Sequence, residues 1–260
     1  MITPRKKAIG RSLVVLGLAF ARPAAAQVNV EPMRAKLEDD GLGGSVDARF
    51  AGRLGNSEGL TAGGDALIGG RSEPHFGFLA LNGDYSRLNG SVQLARYFAH
   101  ARYNFTLATR WWWEVFAQVE HDRFRRLTFR KLLGTGPRFA LMQGEPLAAY
   151  LGTAYMLESE TLDVQAGSGD DSAPLAHRSS SYLSLLAQPD DRVTLVSTTY
   201  FQPRFDEPSD YRVLSVTAAK FAISKLLTAG LTFTLRYDSE PPTGVQRTDA
   251  ELNNTLGLVF

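Results

Sequence analysis

The sequence predicts an all-β protein, an antiparallel up-and-down transmembrane β-barrel of about twelve strands. Three observations predict it: from residue 43 onward apolar and polar side chains alternate with a period of two, the alternating segments run up to 16 residues, and their number is even. Strands of soluble sheets mostly have about 5–6 residues, whereas a tilted membrane-crossing strand needs about 9–11. An even number of antiparallel strands also returns both ends of a barrel to one side.

The first 26 residues have the pattern of a secretory signal peptide. A basic start at 5–11 precedes an apolar run at 13–21, and small residues at 24–26 suit a signal peptidase. The alternative is a buried N-terminal helix. The apolar run is too short to stay in the membrane as an anchor, which needs about 20 residues. We therefore expect export into a periplasm. The predicted organisation is a signal peptide at 1–26, a short periplasmic segment at 27–42 and an outer-membrane barrel at 43–260.

Composition excludes several classes of protein. The chain has 28 basic and 27 acidic residues, and the five basic residues of the first 26 leave 23 basic against 27 acidic in the remainder. A nucleic-acid binder with a basic face is not expected from such a balance. The absence of cysteine excludes disulfide frameworks, thiol catalysis and cysteine-ligated zinc.

Turn signals divide the chain after residue 42 into alternating segments. Gly55-Asn56, Asn89-Gly90 and Pro241-Pro242 are examples of these signals. In the eighth and tenth segments the alternation is blurred, so their facing is not predicted. The twelve segments lie at 43–54, 59–70, 74–86, 91–106, 110–124, 127–142, 147–160, 176–188, 191–205, 208–223, 226–239 and 246–260.

The connections between segments predict an orientation. The longest ones, at 161–175 and 240–245, are both odd-numbered in chain order and so emerge from the same rim, whereas the even-numbered connections are tight. Outer-membrane barrels have short periplasmic turns and longer extracellular loops. We expect residues 161–175 to be mobile, outside the cell and open to protease.

Aromatic side chains mark both rims of the predicted barrel. Amphipathic rings favour the level of the lipid headgroups, although ordinary core aromatics are an alternative reading. The rings near the rim of the even-numbered turns are Phe105, Trp111, Trp113 and Phe260, and those near the rim of the odd-numbered loops are Tyr85, Tyr155, Phe205, Tyr211 and Tyr237.

Charged residues on the inward face predict a ladder of ion pairs in the lumen. A turn near residue 108 would pair Arg102 with Glu114 and Arg96 with Glu120, and a turn near residue 126 would pair Glu114 with Arg138 and Asp122 with Arg130. The last hairpin would pair Arg236 with Asp249. Charges in a low-dielectric interior need partners, so we expect a narrow lumen with weak or no conductance.

Several stretches resemble a family of bacterial barrels known as salt-induced outer-membrane proteins, whose function is unknown. The most specific are HDRFRRL at 121–127 and YDSEPPTGVQRTD at 237–249, with further similarity at 28–32, 99–139 and 201–215. The resemblance implies an outer-membrane location and expression that responds to salt or osmotic stress. It implies no active site and no cofactor.

Candidate chemistry is sparse. His177 and Ser179 lie two apart on one strand face, as in some lipid-hydrolysing barrels, but no orienting acid or oxyanion donor is evident. The four histidines fall on different strands, without the spacing of a metal site. We therefore predict no catalytic, cofactor-binding or metal-binding residues.

Three functions remain open after this reading. The first is a non-enzymatic barrel of the cell envelope, the second a narrow passive pore for small solutes or ions, and the third a lipid hydrolase. The expected partners are outer-membrane lipid and lipopolysaccharide. The barrel-assembly machinery is a further expected partner, because an amphipathic last strand ending in Phe260 resembles the signal that this machinery reads.

Overall fold

The computed structural model describes Leu37, 40–164, Asp170, 175–224 and 226–258. Several predicted features lie outside these residues: the signal peptide at 1–26, most of the segment at 27–42, most of the loop at 161–175, and Phe260. Among the described residues no helix is long and apolar enough to cross a membrane.

The described chain consists almost entirely of β-strands. One short 3-10 helix, Arg123–Arg125, interrupts them. The strands are β1 Gly41–Arg53, β2 Gly59–Ser72, β3 His75–Leu88, β4 Ser91–Ala108, β5 Trp111–Asp122, β6 Leu127–Met142, β7 Leu147–Leu162, β8 Ala176–Asp190, β9 Val193–Pro203, β10 Tyr211–Ala222, β11 Leu227–Asp238 and β12 Thr248–Leu258.

The strands form one sheet in which each strand pairs with the next along the chain. The order is β1 to β12 without a crossover, and the pairing is antiparallel throughout. The predicted all-β fold of about twelve antiparallel, up-and-down strands is confirmed. No ladder between β12 and β1 is among those of the described residues.

The sheet curls back on itself. Arg126, between β5 and β6, donates from Nη1 to the carbonyl oxygen of Thr243 at 2.6 Å. Thr243 lies between β11 and β12, six strands further along the sheet. A flat sheet with strands about 4.8 Å apart would hold these two connections nearly 30 Å from each other, so the contact requires a curved wall.

The connections separate into two rims. We call the end with the connections at 73–74, 109–110, 143–146, 191–192 and 223–226 the turn rim. We call the opposite end, with the connections at 54–58, 89–90, 123–126, 163–175, 204–210 and 239–247, the loop rim. The lopsided loop lengths predicted from the sequence are therefore present. The tightest connection at the loop rim is Asn89-Gly90, where both residues have positive φ (47° and 82°), as a two-residue type I′ hairpin requires.

The two faces of the sheet have inverted polarity. Apolar side chains such as Trp111, Leu133 and Phe201 are exposed on the outward face, whereas charged side chains such as Arg130 and Glu158 are buried on the inward face. A soluble protein has the opposite arrangement, with apolar residues inside. The outward face thus has the character that a lipid environment requires, and the polar groups are enclosed.

The structure resolves the facing of the blurred eighth segment. In β8, Ser180 is buried inside the barrel, and its hydroxyl accepts a hydrogen bond from the side-chain amide nitrogen Nε2 of Gln202 at 3.0 Å. Its neighbours Ser179 and Ser181 point outward, where Ser181 shares a hydrogen bond of 3.0 Å with Thr153. Hydroxyls that bond to each other can occupy an apolar face, and for this reason the serine run obscures the alternation.

The register of two hairpins differs from the predicted one by two residues. In β4–β5, Phe98 lies opposite Glu120 in place of Arg96. In β5–β6, Glu120 lies opposite Arg130 in place of Asp122. The predicted pairs Arg96–Glu120 and Asp122–Arg130 are therefore wrong.

The positions of the turns cause these shifts. The chain turns at 109–110 between β4 and β5 and at 123–126 between β5 and β6, not around residues 108 and 126. Between β5 and β6, the side chain of Asp122 caps the 3-10 helix, accepting hydrogen bonds from the backbone N–H groups of Phe124 (3.0 Å) and Arg125 (3.4 Å). A shift of two residues keeps every side chain on its face, so alternation does not detect it.

Aromatic rings inside the barrel lie directly over glycines of neighbouring strands. A Cβ atom at Gly134 would be 2.2 Å from Cζ of Phe116, and one at Gly152 would be 2.1 Å from Cε1 of Tyr182. Both approaches are far shorter than van der Waals contact. The rings can therefore lie across the lumen only because these positions lack side chains.

We predict that Gly152→Ala lowers the thermal stability of the folded barrel. The added methyl group would push the Tyr182 ring from its position, and overpacking of this kind typically costs ~1–3 kcal/mol. The measurement is the temperature at which the purified protein loses its compact, fast-migrating form on a gel. The matched control is Gly77→Ala, because the nearest atom to a Cβ there is 3.4 Å away. Equal melting temperatures for the two variants would contradict the prediction.

Candidate functional site: the filled lumen

The inward side chains form three layers along the barrel axis. We call the ionic group nearer the turn rim the lower cluster; it comprises Arg102, Asn104, Glu114, Arg138 and Tyr182. We call the ionic group nearer the loop rim the upper cluster; it comprises Glu120, Arg130, Glu158, Glu160, Arg178, Asp210, Arg212 and Asp238. A central layer of Phe116, Leu132, Met156, Thr198, Tyr200 and Leu214 lies between them.

The lower cluster is organised around the carboxylate of Glu114. Arg102 Nη1 donates to Oε2 at 2.9 Å, Asn104 Nδ2 donates to Oε1 at 2.6 Å, and the Tyr182 hydroxyl donates to Oε2 at 2.8 Å. The same hydroxyl accepts from Arg138 Nη1 at 2.9 Å. The side chain of Glu114 is only 5 % exposed, so these donors replace its hydration.

The upper cluster is organised around the carboxylate of Glu158. Its Oε1 atom accepts from Arg178 Nε at 2.9 Å and from Arg212 Nη1 at 2.7 Å, and its Oε2 atom lies 3.1 Å from Arg130 Nη2. Arg212 continues the network to Glu160, also at 2.9 Å. These contacts join β6, β7, β8 and β10 across the lumen, so they are not confined to neighbouring strands.

The network extends to the loop rim through Arg178 and Arg204. Arg178 Nη2 contacts both carboxylate oxygens of Asp210 at 2.9 Å, and Arg204 Nη1 contacts the same residue at 3.3 Å. Arg204 also donates to Asp206, at 2.6 and 3.0 Å. These hydrogen bonds from Arg204 hold the pKa of Asp206 in the exposed loop below its ordinary value.

The central layer closes the space between the clusters. Met156, Leu214 and Thr198 have no exposed surface at all, and the rings of Tyr182 and Tyr200 pack with their centroids 5.1 Å apart. Side chains with no exposed surface in the middle of a lumen leave no room for a column of water beside them. The barrel is therefore filled over this part of its wall.

The strands β1 to β4 carry a smaller ionic group of their own. Arg49 on β1 donates to Asp65 at 2.6 Å and to Asp84 at 3.1 Å, and Arg96 on β4 donates to Asp84 at 3.2 Å. Asn82 also donates to Asp65, at 2.7 Å. The first strand is thus tied to the third by charge as well as to the second by its ladder.

The structure brings together part of the predicted charge ladder. Arg102 and Glu114 form an ion pair, and Arg138 reaches Glu114 through the Tyr182 hydroxyl, although Gly136 lies opposite Glu114 in the register. Arg236 lies opposite Asp249 as predicted, while its closest carboxylate contact is with Glu251 at 3.8 Å.

Sequence reasoning missed four residues of the two clusters. Glu158, Arg178 and Arg212 are absent from the predicted ladder, as is Tyr182 in the lower cluster. Their partners lie across the lumen, up to 68 residues away in the chain, whereas the predicted ladder contains only hairpin neighbours. The sequence signal for these four residues is the alternation of side chains, since each of them lies on the inward side of its strand.

The predicted interfacial aromatics lie on the outward face. At the turn rim Trp111 packs edge-on against Phe139 at 4.5 Å, and Trp113 donates from its indole nitrogen to Thr135 at 2.8 Å. Towards the loop rim the rings form two groups on the outside of the wall. Tyr155 packs against Phe205 at 5.9 Å, and Tyr211 packs against Phe201 at 5.6 Å and Tyr237 at 5.5 Å, while Tyr85 lies half-buried on β3.

The candidate nucleophile and base do not form a pair. His177 hydrogen-bonds the hydroxyl of Tyr155 through Nδ1, and the Ser179 hydroxyl lies 3.3 Å from that of Ser181. No hydrogen bond between His177 and Ser179 is among those of the described residues. Among the described residues, no group of three His, Asp or Glu side chains could hold a metal ion.

Comparison with known proteins places most of the chain in one family. A family model described as "Protein of unknown function, DUF481" matches residues 48–260. Among solved structures, the NanC porin is similar with 12 % identity and a TM-score of 0.47, covering 84 % of this chain and 97 % of that one. A bacterial polysaccharide outer membrane secretin is similar with 10 % identity and a TM-score of 0.46, covering 84 % and 90 %. No curated protein matches the chain.

We predict that Glu114→Ala destabilises the barrel strongly. The substitution removes the shared acceptor of Arg102, Asn104 and Tyr182, and loss of one partner from a buried ion pair typically costs ~3–5 kcal/mol. The measurement is the free energy of unfolding in denaturant, in detergent micelles or vesicles. The matched control is Glu73→Ala, because the Glu73 side chain is 62 % exposed and its ion pair spans 3.8 Å. A loss below about 1 kcal/mol for Glu114→Ala, the range of a surface pair, would contradict the prediction.

Proposed function

The chain belongs to the DUF481 family, whose function is unknown, and we propose that it is a non-enzymatic outer-membrane barrel with a filled lumen. In this role it contributes to the cell envelope as a rigid, lipid-embedded wall and does not act as a wide channel. The single observation that carries the proposal is the central layer, in which Met156, Thr198 and Leu214 are completely buried between two ionic clusters.

The outward face supports the location. It combines exposed aliphatic side chains with aromatic rings at both rims, which is the surface that outer-membrane barrels present to lipid. Outer-membrane lipid and lipopolysaccharide are the partners that this surface fits. Expression in response to salt, which the sequence resemblance implies, stays a prediction.

A narrow passive pore is the second candidate, and one sector of the wall favours it. Towards the turn rim the inward residues of β11 and β12 are small, whereas β4 to β8 carry several large inward side chains that reach into the lumen. The small residues are Thr228, Gly230, Thr232, Thr234, Asn253, Thr255 and Gly257. Any passage for solutes would run along this sector.

A lipid hydrolase is the least supported candidate. The His177 ring is engaged by Tyr155, and Ser179 hydrogen-bonds another serine. A serine nucleophile needs a base within hydrogen-bonding reach and a third group that orients the base. The contacts of the described residues do not supply that arrangement.

We predict that the purified protein gives weak or no single-channel current in planar bilayers. The central layer and the two ionic clusters block the path of hydrated ions. Tyr182→Ala should increase the current because it removes a ring that crosses the lumen, whereas the outward variant Phe201→Ala should leave it unchanged. Large, long-lived currents from the unmodified protein would contradict the proposal.

The same recordings decide between the filled barrel and the narrow pore. If small currents are present, Thr232→Trp should abolish them, because Thr232 lies on the inward face of the sector with small residues. Leu231→Trp is the matched control, since its side chain is outward and 45 % exposed. Equal effects of the two substitutions would exclude a passage along β11 and β12.

We predict that the loop rim faces the outside of the cell. An epitope inserted after Asn56, in the exposed connection between β1 and β2, should bind antibody on intact cells. The same epitope inserted after Asp191, at the turn rim, should bind only after the outer membrane is permeabilised. The reverse pattern would show that the orientation is inverted.

A further inference from the structure

A cavity of about 50 Å³ lies inside the loop rim, above the upper cluster. Its wall includes the three carboxylates of Glu160, Asp238 and Asp249. Guanidinium groups outnumber these carboxylates, so the lining has an excess of positive charge. The lining arginines are Arg125, Arg130, Arg212, Arg236 and Arg247.

Three of the five arginines are already neutralised by close carboxylates. Arg130 lies 2.8 Å from Glu160, Arg212 lies 2.9 Å from Asp238, and Arg125 lies 3.1 Å from Glu120. These pairs engage Glu160 and Asp238. Asp249, which lies opposite Arg236 in the ladder, is the lining carboxylate left to share between the remaining two arginines.

Arg236 and Arg247 supply the unsatisfied positive charge. The closest carboxylate contact of Arg236 is with Glu251 at 3.8 Å, and its Nε–H group is buried without a hydrogen-bond acceptor. Arg247 is exposed and has no ion pair among those of the described residues. A buried donor without an acceptor costs ~1–3 kcal/mol, which a bound anion would recover.

The cavity has a roof made by three connections. The Arg126 guanidinium donates to Asp170 at 2.8 Å and to the carbonyl oxygen of Thr243 at 2.6 Å. Asp170 in turn accepts from the backbone N–H of Thr243 at 2.9 Å. These bonds hold the connection that contains Pro241 and Arg247 over the lumen, so the cavity is a formed feature of the rim.

We propose that this cavity binds a small oxyanion, namely a carboxylate or phosphate group, through Arg236 and Arg247. Guanidinium groups present paired N–H donors that match the oxygen atoms of such groups. One water needs about 10–15 Å³ of cavity volume of this kind, so 50 Å³ accommodates a carboxylate or a phosphate but not a sugar ring. This property goes beyond the proposed role of the barrel as a filled wall and does not depend on it.

The test is titration calorimetry on the folded full barrel in detergent. Sodium phosphate and sodium acetate serve as the probes, and sodium chloride at equal ionic strength is the blank. We expect saturable binding of at least one oxyanion, and the stronger of the two identifies phosphate or carboxylate as the preferred group. Binding that is not saturable, or that chloride matches, overturns the proposal.

Variants locate the site. Arg236→Gln should weaken anion binding at least tenfold. Arg247→Gln should weaken it severalfold and, because Arg247 is exposed, tests the site even if the Arg236→Gln protein does not fold. The matched control is Arg71→Gln near the turn rim, because Arg71 also has a buried Nε without an acceptor and an ion pair of 3.8 Å. Arg71→Gln should bind as the unmodified protein does. Unchanged binding in Arg247→Gln and in any folded Arg236→Gln protein, or an equal loss in Arg71→Gln, overturns the assignment.

Discussion

Most inward charges of this barrel are neutralised by other inward charges, and much of the interior follows from that constraint. The outward face is mostly apolar, so most charged side chains of the wall point into the lumen. Once there, they are removed from water, and a buried carboxylate is tolerated only with ion-pair and hydrogen-bond partners. Glu158 meets this requirement through three arginines from three different strands, and Glu114 through an arginine, an asparagine and a tyrosine.

Close approach of these partners determines the shape of the lumen. Arginine and glutamate side chains of opposite walls meet only if the space between them is narrow, and the glycines at 134 and 152 let aromatic rings lie flat across it. The rings then fill the gap that the ionic groups leave. Charge pairing and packing therefore act together to produce a closed interior, which is the basis for proposing a wall and not a channel.

The fold and the facing of most side chains could be predicted from the sequence because strand side chains alternate with a period of two. The register could not, because a shift of two residues leaves the pattern unchanged while it moves Arg96 away from Glu120. The contact between Arg212 and Glu158 was also beyond prediction, since it depends on how the wall curves and not on any hairpin. Blurred alternation around Ser180 reflects outward hydroxyls that satisfy each other, which local pattern alone does not reveal.

The central claim is that one face of each strand contacts lipid while the other faces a filled interior, and adjacent tryptophans test it most directly. Trp113 is outward and 43 % exposed, whereas Trp112 is inward and packs against Tyr150. Single-tryptophan proteins that retain one or the other would be placed in vesicles of lipid brominated near the headgroup. Strong quenching of Trp113 fluorescence with little quenching of Trp112 is the expected result. Equal quenching of the two, or stronger quenching of Trp112, would contradict the account.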